Sequence, residues 1–200
     1  VPALELREAR TEHFSLFYLP NTPAARDAQL LQALVEDELA QVERALDDSL
    51  GARERINFTL LPRVFWQGGV AYGRTLFVSY ADRLFTGSSF PRIVAHEIAH
   101  SVTQDWGNLG QAGGMLTEGI AVYAANGHYR ADWLHRSAAA IADSSLFIPM
   151  PTLRLKFNDQ QHEIAYTEAA SFLKFLIDTY GLENMRALFA QEYRDYEIIF

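Results

Sequence analysis

The chain has 200 residues, of which 49% are hydrophobic and 21% charged, an ordinary composition for one domain or for two lobes that share a core. Its formal net charge of -8 comes without a cluster of Lys or Arg, which argues against nucleic acid as a partner because phosphate binding needs a basic surface. The absence of cysteine excludes disulfides, a thiol nucleophile and thiolate metal ligands. No apolar run reaches the roughly eighteen residues of a membrane span, so no membrane contact is expected.

In the first half of the chain, apolar residues alternate over short segments that predict β-strands. Residues 13–19 are rich in aromatics and are followed by a proline, so they are predicted as a buried strand. Residues 56–61, also followed by a proline, predict a second strand. Residues 75–80 predict a third strand. Before it, the glycines of segment 68–73 predict a turn and a short extended segment.

A long amphipathic helix is predicted between the first two strands. Thr22 and Pro23 suit the N-cap and the first helical residue, because Thr can accept a backbone hydrogen bond there and Pro lacks only an N–H that has no helical partner. Gly51 is the predicted stop. The apolar residues of the inward face are Leu30, Leu31, Leu34, Val35, Leu39, Val42 and Leu46.

After Pro91 the apolar pattern becomes helical and stays mainly helical to the end of the chain. Five helices are predicted, over residues 91–104, 115–125, 132–142, 164–180 and 182–193. Because no repeat or flexible linker divides the chain, we predict a single domain over residues 1–200 with an α+β fold. A lobe with a small mixed sheet and the long helix would span residues 1–104, and a helical lobe residues 105–200.

Segment 96–100 reads His-Glu-Ile-Ala-His within a helix that has apolar sides. Residues four apart lie on the same face of a helix, so His96 and His100 can bind one metal ion. Glu97 lies about 100° further round the helix, where its carboxylate can approach a water on that ion and act as a general base. The apolar flanks would hold these side chains rigidly and exclude bulk water.

A hydrolytic zinc site needs a third protein ligand and one open position. A third histidine in the pattern H-E-x-x-H-x-x-G-x-x-H is excluded, because Thr103 stands at the glycine position and Trp106 at the histidine position. Glu118 lies on the next predicted helix, after a glycine-rich segment that can reverse the chain. It is therefore a geometrically plausible third ligand.

The pair HEIAH and TEGIAVY, on successive helices, resembles the gluzincin branch of zinc metallopeptidases, whose ligands are two helix histidines and a glutamate on a following helix. More narrowly, the chain resembles the bacterial peptidase MA-like domains in its opening strand EHFSLFY, its G-x-A segment and its late helix AYTEAASFLKFLIDTYG. The resemblance implies a zincin-like fold with the motif helix in the middle. It also implies one Zn²⁺ on His96, His100 and Glu118, with Glu97 as the general base.

Two departures from the family pattern concern the ligand histidines. The spacing from His100 to Glu118 is shorter than in the best-known gluzincins, and Val122 stands where some of them have an Asp that orients a ligand histidine. A ligand histidine usually donates its second ring N–H to an acceptor. Asn126, Ser101 and backbone carbonyls are the open alternatives for that acceptor.

The resemblance also implies a Tyr or His from the helical half that stabilises the oxyanion formed during amide hydrolysis. Tyr166, in the first turn of the predicted helix 164–180, resembles the tyrosine of related domains in its position. The spacing alone is also typical of a core tyrosine. His162 is the second candidate, and His128 and Tyr123 are weaker ones.

Zinc peptidases of this shape bind the substrate as an extended strand against a free sheet edge, through backbone hydrogen bonds. The segment Gly69, Val70, Ala71 and Tyr72 precedes the motif helix by one strand and a loop, and its small residues would admit a peptide backbone. We expect it to be this edge. An ordinary turn before a hairpin fits the same residues.

The sequence therefore predicts a zinc metallopeptidase with a peptide or protein substrate, and an endopeptidase because no acidic anchor for a substrate N-terminus stands out. The alternative is a pseudo-peptidase that binds zinc and a peptide without hydrolysis, but such a module would not need Glu97. A helical interaction domain without metal would need both motifs to arise by chance. Oligomeric state and location stay open, and an extracytoplasmic location fits if a leader or anchor preceded Val1.

Overall fold

The computed structural model of the chain describes residues 5–50, 54–63, 68–80, 87–107, 109–129 and 133–190, and for residues 109–112 it describes the backbone alone. The fold is α+β, as the sequence predicts, with a small mixed sheet in the first half and helices in the second. Some residues at the ends of the predicted helices lie outside the described residues, namely Gly51, residue 132 and residues 191–193.

Within the described segments, five strands form the sheet, in chain order β1 (Arg7–Arg10), β2 (Phe14–Tyr18), β3 (Ile56–Leu61), β4 (Gly69–Tyr72) and β5 (Thr75–Ser79). Their order in space is β1-β2-β3-β5-β4. The central pairs β2–β3 and β3–β5 are parallel, whereas the outer pairs β1–β2 and β4–β5 are antiparallel. The three strands predicted from apolar alternation are confirmed to within one residue at each end, and the sequence does not predict β1.

Alternate residues of the central strands form one buried apolar face. Leu16, Phe58 and Leu76 are neighbours across β2, β3 and β5, and all three are fully buried. Because side chains alternate between the two faces of a strand, the residues two positions further along face the same way. That next row contains the buried Leu60 and Val78 and continues to Gly69 on β4. The inward face of the sheet therefore ends at a glycine.

The helices of the described part are α1 (Pro23–Arg26), α2 (Ala28–Leu46), α3 (Phe90–Thr103), α4 (Leu109–Ala124), α5 (Leu134–Ala142), α6 (Met150–Leu155), α7 (His162–Tyr180) and α8 (Leu182–Ala190). The five helices predicted in the second half are present with shifted bounds, and α6 is additional. The range of α4 contains a break at Gly113, whose φ of 74° and ψ of 154° are not helical, and the helix predicted from residue 115 is the part of α4 that follows this break.

The long helix predicted after Thr22 is in fact two helices. Thr22 caps the first turn through its side chain, as predicted, but α1 ends before Asp27 and α2 follows. Helix α2 then ends at Leu46, because Asp47 adopts a left-handed backbone with φ 44° and ψ 44°. The predicted stop at Gly51 is therefore wrong.

The inward face of α2 agrees with the predicted stripe except at its start. Leu30 is 73% exposed, so its assignment to the stripe is wrong. Neighbouring residues point about 100° apart on a helix, and the adjacent Leu31 takes the inward position. Leu34 is partly buried, and the remaining members are buried: Leu31, Val35, Leu39, Val42 and Leu46.

Helix α3 links the sheet to the helical half. It contacts β4 and β5 on the sheet, and it contacts α2 and α4, while α4 packs along α7. The motif helix therefore has neighbours on several sides, which fixes its position. None of the described helices combines the length and the apolar character that crossing a membrane requires.

Candidate metal centre

The HEIAH segment lies within α3, in surroundings that bury most of this helix. His96 and Glu97 are both buried, whereas His100 remains partly exposed. The apolar residues around the motif are all buried, namely Ile93, Val94, Ile98, Ala99 and Val102. This packing leaves the motif side chains little freedom, as the apolar flanks predict.

Three polar side chains converge between α3 and α4. Nε2 of His96 lies 3.1 Å from Oε2 of Glu118 and 3.2 Å from Nε2 of His100. Nε2 of His100 lies 3.4 Å from the same Glu118 oxygen. The structure therefore brings the three predicted ligands together in one triangle, which we call the ligand triangle.

The dimensions of the ligand triangle fit one metal ion in tetrahedral coordination. With metal–ligand bonds of about 2.0–2.1 Å, two ligand atoms at the tetrahedral angle lie roughly 3.3–3.4 Å apart. Two imidazole nitrogens that face each other at 3.2 Å can share one proton at most, whereas one cation between them satisfies both. Two imidazoles and one carboxylate are also the donor set of hydrolytic zinc sites that keep a position open.

Electrostatics favour the ligand forms of His96 and Glu118. Burial lowers the pKa of His96 to about 4, so its imidazole is neutral at pH 7. Burial opposes ionisation of Glu118, but hydrogen bonds to His100 and His96 outweigh it and hold the pKa of the carboxyl well below its usual range. Neutral imidazole and ionised carboxylate are the forms that bind a metal.

His100 differs from His96 in its protonation. Burial acts to lower the pKa of His100, but the hydrogen bond to Glu118 and the charges of Glu118 and Glu97 together raise it above its usual value. A metal ion must displace a proton from a protonated imidazole before the nitrogen can bind it. Metal affinity at this site should therefore weaken in acid.

Glu97 lies beside the edge of the sheet, with only 2% of its surface exposed. Burial raises the pKa of its carboxyl to about 8. A Cβ on Gly69 of β4 would lie 2.5 Å from Oε1 of Glu97, so the carboxyl group occupies the space that any other residue would need. A bound dication would lower this pKa, and a carboxyl group that titrates near neutrality suits proton transfer.

Tyr166 lies on α7, next to the ligand triangle. Its ring stacks on that of His96 with centroids 6.3 Å apart, and the ring of His162 lies 3.9 Å from it. Burial and the charges of Glu118 and Glu97 raise the pKa of Tyr166, so its hydroxyl stays protonated and can donate a hydrogen bond. The structure therefore places Tyr166 beside a ligand histidine, and His162 beside Tyr166.

Two further side chains reach the ligands from the turn after α4. His128 is 4% exposed, and its ring lies 6.2 Å from that of His96. The ring of Tyr129 lies 5.7 Å from His96 and stacks on His128 at 4.3 Å. Tyr129 has a φ of 52°, a strained conformation for a residue with a side chain and one that often occurs at functional sites. From the sequence, His128 is only a weak oxyanion candidate and Tyr129 is not indicated at all. The dipeptide Asn126-Gly127, just before them, is a signal for a turn.

No hydrogen-bond partner that would orient His96 is found among the described residues. Nδ1 of His96 is buried and has no hydrogen-bond partner among the described residues. The Ser101 hydroxyl instead donates to the backbone carbonyl of Gly73 at 2.7 Å, and Asn126 is exposed. Among the described residues, no acceptor is therefore found for His96, and the expectation of such an acceptor for His100 stays a prediction.

Val122 illustrates why this chain departs from the gluzincin pattern at that position. It is fully buried in a small apolar cluster with Leu134 of α5 and Ala170 of α7, and Tyr123 packs against the same cluster. An acidic side chain at position 122 would be buried among apolar groups at a high cost in free energy. The packing of α5 and α7 therefore favours valine.

The four residues predicted to bind substrate form β4, which lies at one end of the described sheet. Gly69 is buried, Val70 and Ala71 are partly buried, and Tyr72 is exposed. On one side β4 pairs with β5, with Tyr72 opposite Thr75 at the hairpin turn. The structure therefore has a strand at the predicted edge and not merely a turn.

A mixed sheet, a helix with two histidines and a buried carboxyl group, and a carboxylate on the next helix are the features expected of a metal-dependent peptidase. A family model points to the same class of protein, since the model of the Peptidase MA superfamily matches residues 39–196. The chain belongs to the Peptidase MA superfamily, as its motifs predict. The family implies a metal ion and a peptide or protein substrate. No similar curated protein is found.

Proposed function

We propose that this protein is a zinc-dependent endopeptidase of the gluzincin type with a zincin-like fold. One Zn²⁺ would bind His96, His100 and Glu118. The observation that carries the proposal is the ligand triangle, with edges of 3.1 to 3.4 Å, next to the buried carboxyl group of Glu97.

The burial of Glu97 supports a catalytic site over a structural one. Structural zinc sites are usually closed by four protein ligands, whereas the group found in the described residues supplies three. A buried carboxyl group that is not a ligand destabilises the fold, because its charged form is poorly solvated. Such a group is expected where its proton transfer is used.

The chain's own residues supply the proton transfers of hydrolysis. When bound, a zinc ion polarises the scissile carbonyl and acidifies a water molecule. Glu97 accepts the proton of the attacking water and gives it to the nitrogen of the leaving amine. The packing of α3 and the contact with Gly69 hold this carboxyl group in one place, so little reorganisation is needed during the reaction.

Tyr166 is proposed to stabilise the negative charge that develops on the carbonyl oxygen. Its hydroxyl remains protonated because its pKa is raised, and its ring lies near those of His96 and His162. His162 is the more exposed of the two candidates and contacts Tyr166 directly. We therefore assign the oxyanion to Tyr166 and a supporting position to His162.

The substrate is proposed to bind along β4 as an additional strand. Backbone hydrogen bonds at a sheet edge recognise an extended peptide without reading its sequence. The residues of β4 decrease in burial from Gly69 to Tyr72, so the edge begins at Glu97 and leads outward to solvent. A peptide on this edge would have one of its bonds next to the proton-transfer group.

The acidic side chains around the site favour cleavage within a peptide. Glu118 is engaged by the two ligand histidines, Glu97 lies against Gly69, and Glu163 is bonded to His128. An aminopeptidase needs a free acidic group to bind the substrate's terminal amine. Because each of these three carboxyl groups already lies against another residue, we propose an endopeptidase.

The proposal is tested by zinc content and by Glu97→Gln. The purified protein should contain one equivalent of zinc and cleave a quenched fluorescent peptide library. Glu97→Gln should keep the zinc, because Glu97 is not a ligand, and should lose roughly 10²- to 10⁴-fold in kcat. Glu183→Gln is the matched control, since Glu183 lies on α8 with its side chain 86% exposed, and it should cleave like the parent.

Three outcomes distinguish the candidate functions. Zinc in both proteins with cleavage by the parent alone supports the peptidase. Zinc in both without any cleavage favours the pseudo-peptidase. A parent protein that carries no zinc, or a Glu97→Gln variant that cleaves as well as the parent, contradicts the proposal.

A further inference from the structure

A second group of metal-ligating side chains lies beside the ligand triangle. One ring nitrogen each of His128 and His162 and one carboxylate oxygen of Glu163 all lie within 4.8 Å of one another. None of these three residues belongs to the ligand triangle. Two chain segments contribute to the group, namely the turn after α4 and the first turn of α7.

His128 and Glu163 are already arranged as two ligands of one ion. Nδ1 of His128 lies 3.1 Å from Oε2 of Glu163, which is close to the roughly 3.3 Å that separates two ligands in a tetrahedral site. His128 is held by its buried position and by the rings of Tyr129 and Tyr166, at 4.3 and 4.7 Å. Its other nitrogen, Nε2, is buried without a hydrogen-bond partner in the described residues, so the protein does not satisfy this imidazole fully.

His162 provides the access that a metal ion needs. It is the first residue of α7 and is exposed, so its ring can turn by the small amount that closes the group around an ion. Its ring already lies 4.7 Å from that of His128. The other two residues are more enclosed, so an ion would enter from the side of His162.

We propose that His128, His162 and Glu163 form a second site for a divalent transition-metal ion of the zinc or cobalt type. Imidazole and carboxylate ligands together suit these ions, whereas calcium and magnesium prefer oxygen ligands alone. Because one ligand is exposed and must adjust, this site binds its ion more weakly than the ligand triangle does. The site is separate from the proposed hydrolysis and does not depend on it.

An ion at the second site would act on Tyr166 without touching the first ion. The ring of Tyr166 lies 3.9 Å from His162 and 4.7 Å from His128, so fixing these two histidines also fixes the space in which the tyrosine moves. The rings of His128 and His96 are 6.2 Å apart, which makes the two sites neighbours. Occupation of the second site would therefore depend on metal concentration and alter the surroundings of the proposed oxyanion group.

The experiment is a zinc titration of the untagged, metal-free protein by isothermal calorimetry, repeated with Co²⁺. The parent should take up one tight equivalent and one weaker equivalent. His162→Gln should lose the weaker equivalent and keep the tight one, and His100→Gln should lose the tight one. His135→Gln is the matched control, because His135 is exposed on α5 and outside both groups; it should bind like the parent.

The readout separates this site from the proposed peptidase function. Loss of an equivalent in His162→Gln, with the melting temperature of the metal-free variant unchanged, supports the second site whether or not the protein cleaves peptides. Equal uptake by the parent and His162→Gln overturns it. Loss of the weaker equivalent in His135→Gln also overturns it, because the ion would then bind a surface histidine.

Discussion

Replacement of Gly69 by alanine tests whether the sheet edge positions the proposed base. The new Cβ would lie 2.5, 2.6 and 2.7 Å from Oε1, Cγ and Cδ of Glu97. Carbon atoms in contact prefer about 3.5 Å or more, so the carboxyl group and the strand must separate by roughly 1 Å. Glu97 is the side chain that can yield, because β4 is held by its pairing with β5.

We expect Gly69→Ala to reduce catalysis more than stability. A misplacement of about 1 Å in a reacting group can reduce the rate roughly 10²-fold. We therefore expect Gly69→Ala to lower kcat by about 10²-fold and to retain zinc, because no residue of the ligand triangle is displaced. If alanine mainly blocked the substrate, KM would rise instead and kcat would change little.

Gly68→Ala is the control for this experiment. Its Cβ would meet Ile93 and Tyr129 at 3.5 Å, an ordinary contact distance, and its three nearest atoms all belong to these two residues. Kinetics on a quenched fluorescent peptide, zinc content and melting temperature should be measured for both variants. A Gly69→Ala protein that folds, binds zinc and retains the parent's kcat would refute the role of this contact.

Three further predictions concern other parts of the molecule. Tyr166→Phe should lower kcat by about 10²- to 10³-fold with less effect on KM, as measured by steady-state kinetics; a parental kcat would remove Tyr166 from the mechanism. Zinc at roughly 100 times its dissociation constant contributes about 2.7 kcal/mol to the folded state, so chelation should lower the melting temperature by about 5–10 °C; no change would mean that the folded state binds no metal. Burial raises the pKa of Glu38 on α2 from 4.5 to about 7, so its stabilising effect is complete below pH 4.5 and lost as the pH rises through 7. Glu38→Gln should therefore resist urea better than the parent at pH 8 and similarly at pH 4; equal midpoints at pH 8 would contradict the shift.

The parts of the fold that the sequence predicts are those determined by local apolar patterns. Strand β3 matches residues 56–61 because its alternating apolar residues pack on one face of the sheet. Strand β1 has no such pattern: it consists of Arg-Glu-Ala-Arg and is largely exposed, so it exists through its pairing with β2. Backbone pairing of this kind does not require a particular pattern of side chains, so the sequence does not reveal it.

The break between α1 and α2 lies at Asp27, whose carboxylate has one neighbouring and one distant partner. Thr22 and Pro23 give the correct start of the helix, but the apolar pattern continues past Asp27, where Arg26 donates two hydrogen bonds to the carboxylate. The Asp27 carboxylate accepts a hydrogen bond at 2.7 Å from the hydroxyl of Tyr80, which lies 53 residues later. A reading of neighbouring residues cannot include that bond.

The candidate site likewise contains residues that the sequence predicts and residues that it does not. His96 and His100 are predictable from their spacing on one helix, and Glu118 follows from the resemblance that the TEGIAVY segment carries; the structure brings the ligand atoms of all three together. His128 and Tyr129 reach the site through backbone conformations with positive φ at Asn126 and Tyr129. The dipeptide Asn126-Gly127 indicates a turn, but it does not indicate in which direction the side chains that follow the turn will point.

The hydrogen bond from Ser101 to Gly73 fixes the hairpin turn against α3. The proposed chemistry therefore depends on the length of that turn. It joins α3 to the turn between β4 and β5, where two residues, 73 and 74, separate Tyr72 from Thr75. Because successive residues of a strand face opposite ways, one inserted residue would shift the register and replace Gly69 beside Glu97 by a neighbour. Most surface loops accept insertions at little cost, but this loop should not.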